Sequence, residues 1–133
     1  MTFLEFPVFL CGHRKAGTTM LLALLDSHPQ LLVYPPDSGF FYGWYPAYAS
    51  TDFSPDEKIR RMEDVVLGNL DYELARLTAT DRAETGICID LLKTKFRDLA
   101  AQSDLTPKSM LTSLIQAYRG QFRGSMNATR WVE

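Results

Sequence analysis

Apolar residues follow two different rhythms along this chain, and one long stretch follows neither. "FPVFLCG", residues 6–12, is apolar without a break through Val8, Phe9 and Leu10 and stops at Gly12. A short unbroken run of this kind predicts a strand buried on both faces. From Thr18, "TTMLLALLDSHP" is built of strong helix formers up to Asp26, Ser27 and Pro29. That helix is apolar on nearly every side, which predicts a sheet beneath it and further cover above. "QLLVYPP" gives a second strand, halted by two prolines. Strand, tight loop, helix and strand form a βαβ unit, so a parallel sheet with a right-handed crossover is expected.

The next stretch, residues 38–53, holds many aromatics and little periodicity. "SPDEKIRRMEDVVLGNLDYELARLTA" then opens as a helix, with Ser54 as N-cap, Pro55 at the first position and Glu57 closing a capping box. Ile59, Met62, Val66, Leu70, Leu74 and Leu77 recur at three- and four-residue steps and predict one apolar face, weakened in the middle by Gly68. Lys58, Arg60 and Arg61 fall on its solvated side. "TGICIDLL" fits a short strand or the lead into another helix. "LTPKSMLTSLIQAYRGQF" repeats the capping pattern with Thr106 and Pro107, and Leu111, Ile115, Tyr118 and Phe122 form its stripe. "GSMNATRWVE" is turn-like and then extended. No repeat, low-complexity tract or linker divides the chain, so residues 1–133 read as a single domain or part of one.

Composition narrows the function. The 133 residues are 46% hydrophobic and 23% charged, enough for one globular core. A net charge of −2 argues against a nucleic-acid partner, whose affinity rests on basic patches. No apolar run reaches the roughly 18 residues of a membrane span. The opening "MTFLEFPVFLCG" lacks a basic segment and carries Glu5, unlike a signal peptide. Cys11 and Cys88 stand far apart and, with His13 and His28, make no grouped ligand set. Both cysteines read as small buried apolar residues, no metal is expected, and the expected location is the reducing cytoplasm.

The candidate chemistry lies in "LCGHRKAGTTMLLALL", residues 10–25. Gly12 and Gly17 have the spacing of a Walker A loop. A strand feeding such a turn into a helix aims several backbone N–H groups at one point, and the helix dipole adds positive charge there. The Walker pattern requires lysine after its second glycine. Here Thr18 holds that position and Lys15 lies inside the loop. A lysine there can lie over the bridging oxygen of a bound phosphoanhydride, and no Walker-type magnesium arrangement is apparent. Transfer of SO₃ from a phosphate has less need of a metal, since one ammonium and a row of amides can meet the charge on the leaving oxygen.

"RKAGTTMLLALLDSHPQL" resembles the 5′-phosphosulfate loop and following helix of the sulfotransferases that use 3′-phosphoadenosine 5′-phosphosulfate. "SHPQ" is typical of their bacterial and carbohydrate-modifying branches, and "RWVE" resembles the stretch before a "KTP" signature there. The resemblance implies an α/β fold, a P-loop-like parallel sheet flanked by helices, with this chain the N-terminal portion of the domain. It implies 3′-phosphoadenosine 5′-phosphosulfate as co-substrate and an unidentified hydroxyl or amine as acceptor. Lys15 is implied to stabilise the leaving oxygen, while Ala16, Gly17, Thr18 and Thr19 hold the 5′-phosphate and Arg14 adds charge at the mouth. Ala16 replaces the family's usual serine and removes one hydroxyl. "YPPDSGFF" resembles the heparan-type stretch whose carboxylate is the general base, which puts Asp37 in that role.

Alternatives stand beside these readings. Asp37 after two prolines also suits a plain turn. His13 is a sulfate or acceptor contact or an ordinary loop residue, and His28 reads as a helix-end donor to carbonyls. The aromatics from Phe40 to Phe53 line an acceptor pocket or pack beneath a loop. For the whole chain, a P-loop kinase or NTPase and a non-catalytic anion-binding fragment are the competing readings.

Overall fold

The protein is described from a computed structural model that places residues 3–12, 15–26, 28–35, 37–50, 52–122 and 127–133. It is an α/β fold built on a small parallel sheet. Strand β1 is Pro7–Val8, β2 is Leu31–Val33 and β3 is Arg130–Val132. The strand that comes third in sequence lies in the middle, in the order β1-β3-β2, and pairs in parallel with both neighbours. Pro7 is opposite Trp131, and Leu32 is opposite Trp131 from the other side. The helix following β1, α1 (Thr18–Leu25), leads to β2, so the predicted βαβ succession is present, with β3 inserted between its two strands.

Two burial expectations fail, for one reason. β1 is an edge strand in this sheet and its residues are exposed or half-buried rather than enclosed on both faces. α1 has no buried residue at all: Met20 is 68% and Leu24 67% exposed. The core has formed elsewhere, among the helices that follow.

These helices are α2 (Tyr45–Tyr48), α3 (Pro55–Met62), α4 (Gly68–Ala75), α5 (Ala79–Thr85), α6 (Ile89–Ala101) and α7 (Pro107–Arg119). The aromatic stretch without periodicity is helical: a wide turn, Phe40–Trp44, runs into α2. A second wide turn, Glu63–Leu67, joins α3 to α4 in one continuous rod just ahead of Gly68. The Gly68 N–H reaches the Glu63 carbonyl, five residues back, which is the mark of a π-bulge. "TGICIDLL" resolves as the lead into α6.

Capping explains the helix starts. Ser54 accepts from the Glu57 N–H at 3.2 Å, and Thr106 accepts from the Ser109 N–H at 3.2 Å. The Glu57 carboxylate is drawn away from the expected box by Arg60 and Arg61, at 2.8 Å each. α5 begins with the same cap, Thr78 to the Asp81 N–H, which the sequence reading left unassigned.

Of the predicted stripe, Ile59, Met62, Val66, Leu70 and Leu74 are buried, while Leu77 is exposed, beyond the end of α4. Leu111, Ile115 and Tyr118 are buried in α7, with Phe122 packed against the same core. Trp44 is fully buried, stacked on Phe40 at 5.3 Å, and its indole N–H donates to the Lys58 carbonyl at 3.0 Å. Cys11 and Cys88, expected to be buried, are both exposed. Cys11 lies in the loop after β1 and Cys88 is the residue before α6, so neither is on a helix face. Among the described residues, no helix is long and apolar enough to cross a membrane.

Candidate functional site

Because all three strands are parallel, their carboxyl ends share one edge of the sheet, and open α/β sheets bind ligands there. The strand order places the segment after β3 between those after β1 and β2. Main-chain bonds fix that arrangement. The Leu10 N–H donates to the Glu133 carbonyl at 2.7 Å, the Glu133 N–H to the Val8 carbonyl at 3.0 Å, and the Tyr34 N–H to the Val132 carbonyl at 2.9 Å. With neighbouring strands about 4.8 Å apart, the ends of β1 and β2 lie about 10 Å from one another across β3.

From β1 the chain enters the glycine loop. Lys15 has φ 63° and Gly17 φ 88°, two left-handed residues within three positions. A left-handed lysine costs about 1–2 kcal/mol against its right-handed form, whereas glycine adopts this region without penalty. The loop is folded tightly: a Cβ added at Gly12 would lie 3.2 Å from both Ala16 Cβ and Thr18 Cγ2. At Gly17 an added Cβ would meet none of the described residues within 4 Å. Gly17 is the N-cap of α1 and brings no side chain to cap it. The first-turn amides have no intrahelical acceptor. Lys15, Ala16, Gly17 and Thr19 are exposed and Thr18 is half-buried. Uncapped amides, two threonine hydroxyls and an ammonium are a donor set suited to an anion. Arg14 and His13 lie outside the described residues, as does the predicted turn at residues 124–126.

Asp37 follows β2 and is exposed. Its Oδ1 accepts from the Gly39 N–H at 3.0 Å and its Oδ2 accepts from the Tyr42 hydroxyl. Both carboxylate oxygens are thus engaged by the turn that starts the aromatic helix. This is the bonding of a turn-forming aspartate. His28 departs from expectation only at its ring. Its main-chain N–H donates to the Leu25 carbonyl at the end of α1 at 3.0 Å, but its ring Nδ1 accepts from the Gln30 N–H at 3.2 Å, because the chain turns at Pro29 and brings that amide back to the ring.

The residues that sequence reasoning missed are Ser38 and Glu133. Ser38 is buried. Its hydroxyl donates to Glu133 Oε1 and accepts from the Phe40 N–H at 3.1 Å. Among the described residues, the second carboxylate oxygen of Glu133, Oε2, is buried with no hydrogen-bond partner, as is the hydroxyl of Tyr34. Burial pushes the Glu133 carboxyl above its ordinary value and the Asp37 charge adds to the shift, while the Ser38 hydrogen bond opposes it. The only signal in the sequence was an acid directly after an extended "RWV". Its importance comes from strand order, which that signal does not carry.

The aromatic segment is partly core and partly cavity wall. Trp44 is core, while Phe40, Phe41 and Tyr45 help line a cavity of about 480 Å³ against Phe9, Leu111 and Trp131. Comparison with protein-family models, curated proteins and solved structures returns no match, so the reading of this edge rests on its own residues.

Proposed function

We propose that the chain carries the donor half of a sulfotransferase site and moves a sulfuryl group from 3′-phosphoadenosine 5′-phosphosulfate to an acceptor hydroxyl. The observation that supports this most directly is the uncapped start of α1 at Gly17, with Lys15 held in a left-handed turn beside it. Two carboxylates follow the other two strands along the same sheet edge.

In this reading the loop amides and the hydroxyls of Thr18 and Thr19 hold the 5′-phosphate. The acceptor oxygen attacks sulfur in line, forming one S–O bond as the bond from sulfur to the phosphate oxygen breaks. The electron pair leaves on that oxygen, where the Lys15 ammonium and the amides meet it. The hydroxyl proton passes to a carboxylate. The products are a sulfate ester and adenosine 3′,5′-bisphosphate. Asp37 is the base that the family resemblance implies. Glu133 competes with it, since one of its oxygens has no partner among the described residues whereas both oxygens of Asp37 are occupied.

The displaced lysine separates this reading from a kinase or NTPase. Thermal melting checks it: adenosine 3′,5′-bisphosphate raises the melting temperature in a concentration-dependent way, by mass action on the folded state, and ATP with Mg²⁺ does not. The reverse ranking would overturn the sulfotransferase reading in favour of a nucleotide triphosphate site. Stabilisation by both to the same extent would reduce it to a general anion nest.

A further inference from the structure

α1 carries six apolar residues in eight positions, "TTMLLALL", yet buries none of them. Thr18, Leu22 and Leu25 fall on one side of the helix by their spacing and are half-buried. The next stripe round the helix is open. Gly17, Met20, Leu21 and Leu24 stand at i, i+3, i+4 and i+7, a continuous line along the surface. Met20 is 68%, Leu21 43% and Leu24 67% exposed. Apolar side chains gathered at the surface in this way mark a contact with another macromolecule.

The charges at the ends of the stripe say what that macromolecule is. No residue from Thr18 to Leu25 is charged, so the stripe sets up no repulsion against a copy of itself. Lys15 precedes the helix and Asp26 follows it directly. Both are exposed, and among the described residues neither takes part in an ion pair. Two α1 helices laid antiparallel about a two-fold axis between Met20 and Leu21 bring opposite charges together at both ends. Lys15 of each copy then meets Asp26 of the other. The same register sets Met20 against Leu21 and seats Leu24 over the second copy's Gly17, where an added Cβ meets none of the described residues within 4 Å. Each contact is made twice, as a two-fold interface requires. The helix dipoles lie positive end to negative end. Parallel pairing would instead set lysine beside lysine and aspartate beside aspartate.

We propose that α1 is a self-association surface, through which two copies of this chain pair antiparallel and close each other's glycine loop. This pairing is independent of the sulfuryl-transfer reading. An eight-residue helix is about 12 Å long, so the area covered falls below the roughly 800 Å² per partner of a standard interface. Association is therefore weak and reversible, and the Lys15 ammonium is matched by a carboxylate only while the second copy is in place.

The test is sedimentation equilibrium of the full chain from about 10 μM to about 1 mM, the range in which a weak interface forms. An average mass rising from monomer towards dimer is expected. Leu24→Lys, at an exposed side chain, keeps the parent's melting temperature and weakens association about tenfold. Lys15→Asp and Asp26→Lys each weaken it roughly fivefold. An equimolar mixture of those two variants pairs like the parent, because each then meets the opposite charge. The amide resonances of Gly17 and Thr19 shift with chain concentration in the parent and stay in place in Leu24→Lys. A parent that is monomeric throughout would overturn the proposal. So would association that Leu24→Lys leaves unchanged, amide shifts confined to other elements, or charge variants that fail to pair when mixed. Sulfate transfer by a chain that never pairs defeats self-association alone, and pairing without transfer defeats the transfer reading alone.

Discussion

At the residue scale the proposed chemistry rests on two side chains. Lys15 is held in an unfavourable backbone region by a tight loop, and removing its ammonium takes away one preorganised charge. Lys15→Ala is therefore expected to lower turnover on the order of 10²–10³-fold, measured as sulfate-ester formation at saturating donor. Near-parental rates in that variant would exclude Lys15 from the reaction. Glu133 makes a prediction about stability. Its carboxyl is pushed up by burial, so the folded chain holds the proton more tightly than the unfolded chain. The stabilisation this provides is complete below the ordinary glutamate value of 4.5 and is lost as pH rises through the higher folded value. Glu133→Gln removes that loss. Its melting temperature should exceed the parent's at pH 7.5, with the gap closing towards pH 4. A constant gap across that range would mean that the carboxyl does not titrate abnormally. Proton transfer can be apportioned separately: the loss of the acidic limb in the pH–rate profile should follow whichever of Asp37→Asn and Glu133→Gln removes the base.

Caps and glycines decide how firmly each element is fixed. Ser54→Ala and Thr106→Ala each remove a bond to a first-turn amide and are expected to lower stability by about 1 kcal/mol, read by urea denaturation. α1 has no cap to lose. Gly17→Ala forces a Cβ into the left-handed region without any clash, so the chain should fold with a small stability loss while nucleotide binding falls. These are also the features that were legible beforehand. Ser54–Pro55 and Thr106–Pro107 announced their helices because a cap is a local bond between near neighbours. The stripe from Ile59 to Leu74 was equally readable from its spacing. The helix at Phe40–Tyr48 was not, because aromatics crowd every side of it and Gly43 interrupts the stretch. Nor was the exposure of β1 and α1, since an unbroken apolar run says nothing about which edge of a sheet it will occupy. At the site, Gly17 and Lys15 declared themselves by spacing. Glu133 became visible only when β3 was found between the other strands and its carboxylate beside Ser38.

For the whole molecule, the weight of the core is helical. Met62, Leu92, Phe96 and Leu114 are fully buried, and α6 packs along α7. Leu92→Ala should destabilise by about 2–5 kcal/mol, the usual cost of an internal cavity, and chemical denaturation measures it directly. The three short strands contribute little of that burial, yet they alone bring the glycine loop and the acids to one edge. Pro7 and Val8 pair only with residues near position 130, and β2 has the same single partner on that side. During synthesis the first two strands must therefore wait, unpaired, while residues 34–129 emerge and the helices collapse. Pairing at such sequence separation is slow. The glycine loop should consequently be among the last regions to mature on the ribosome, long after the helices have become resistant to protease.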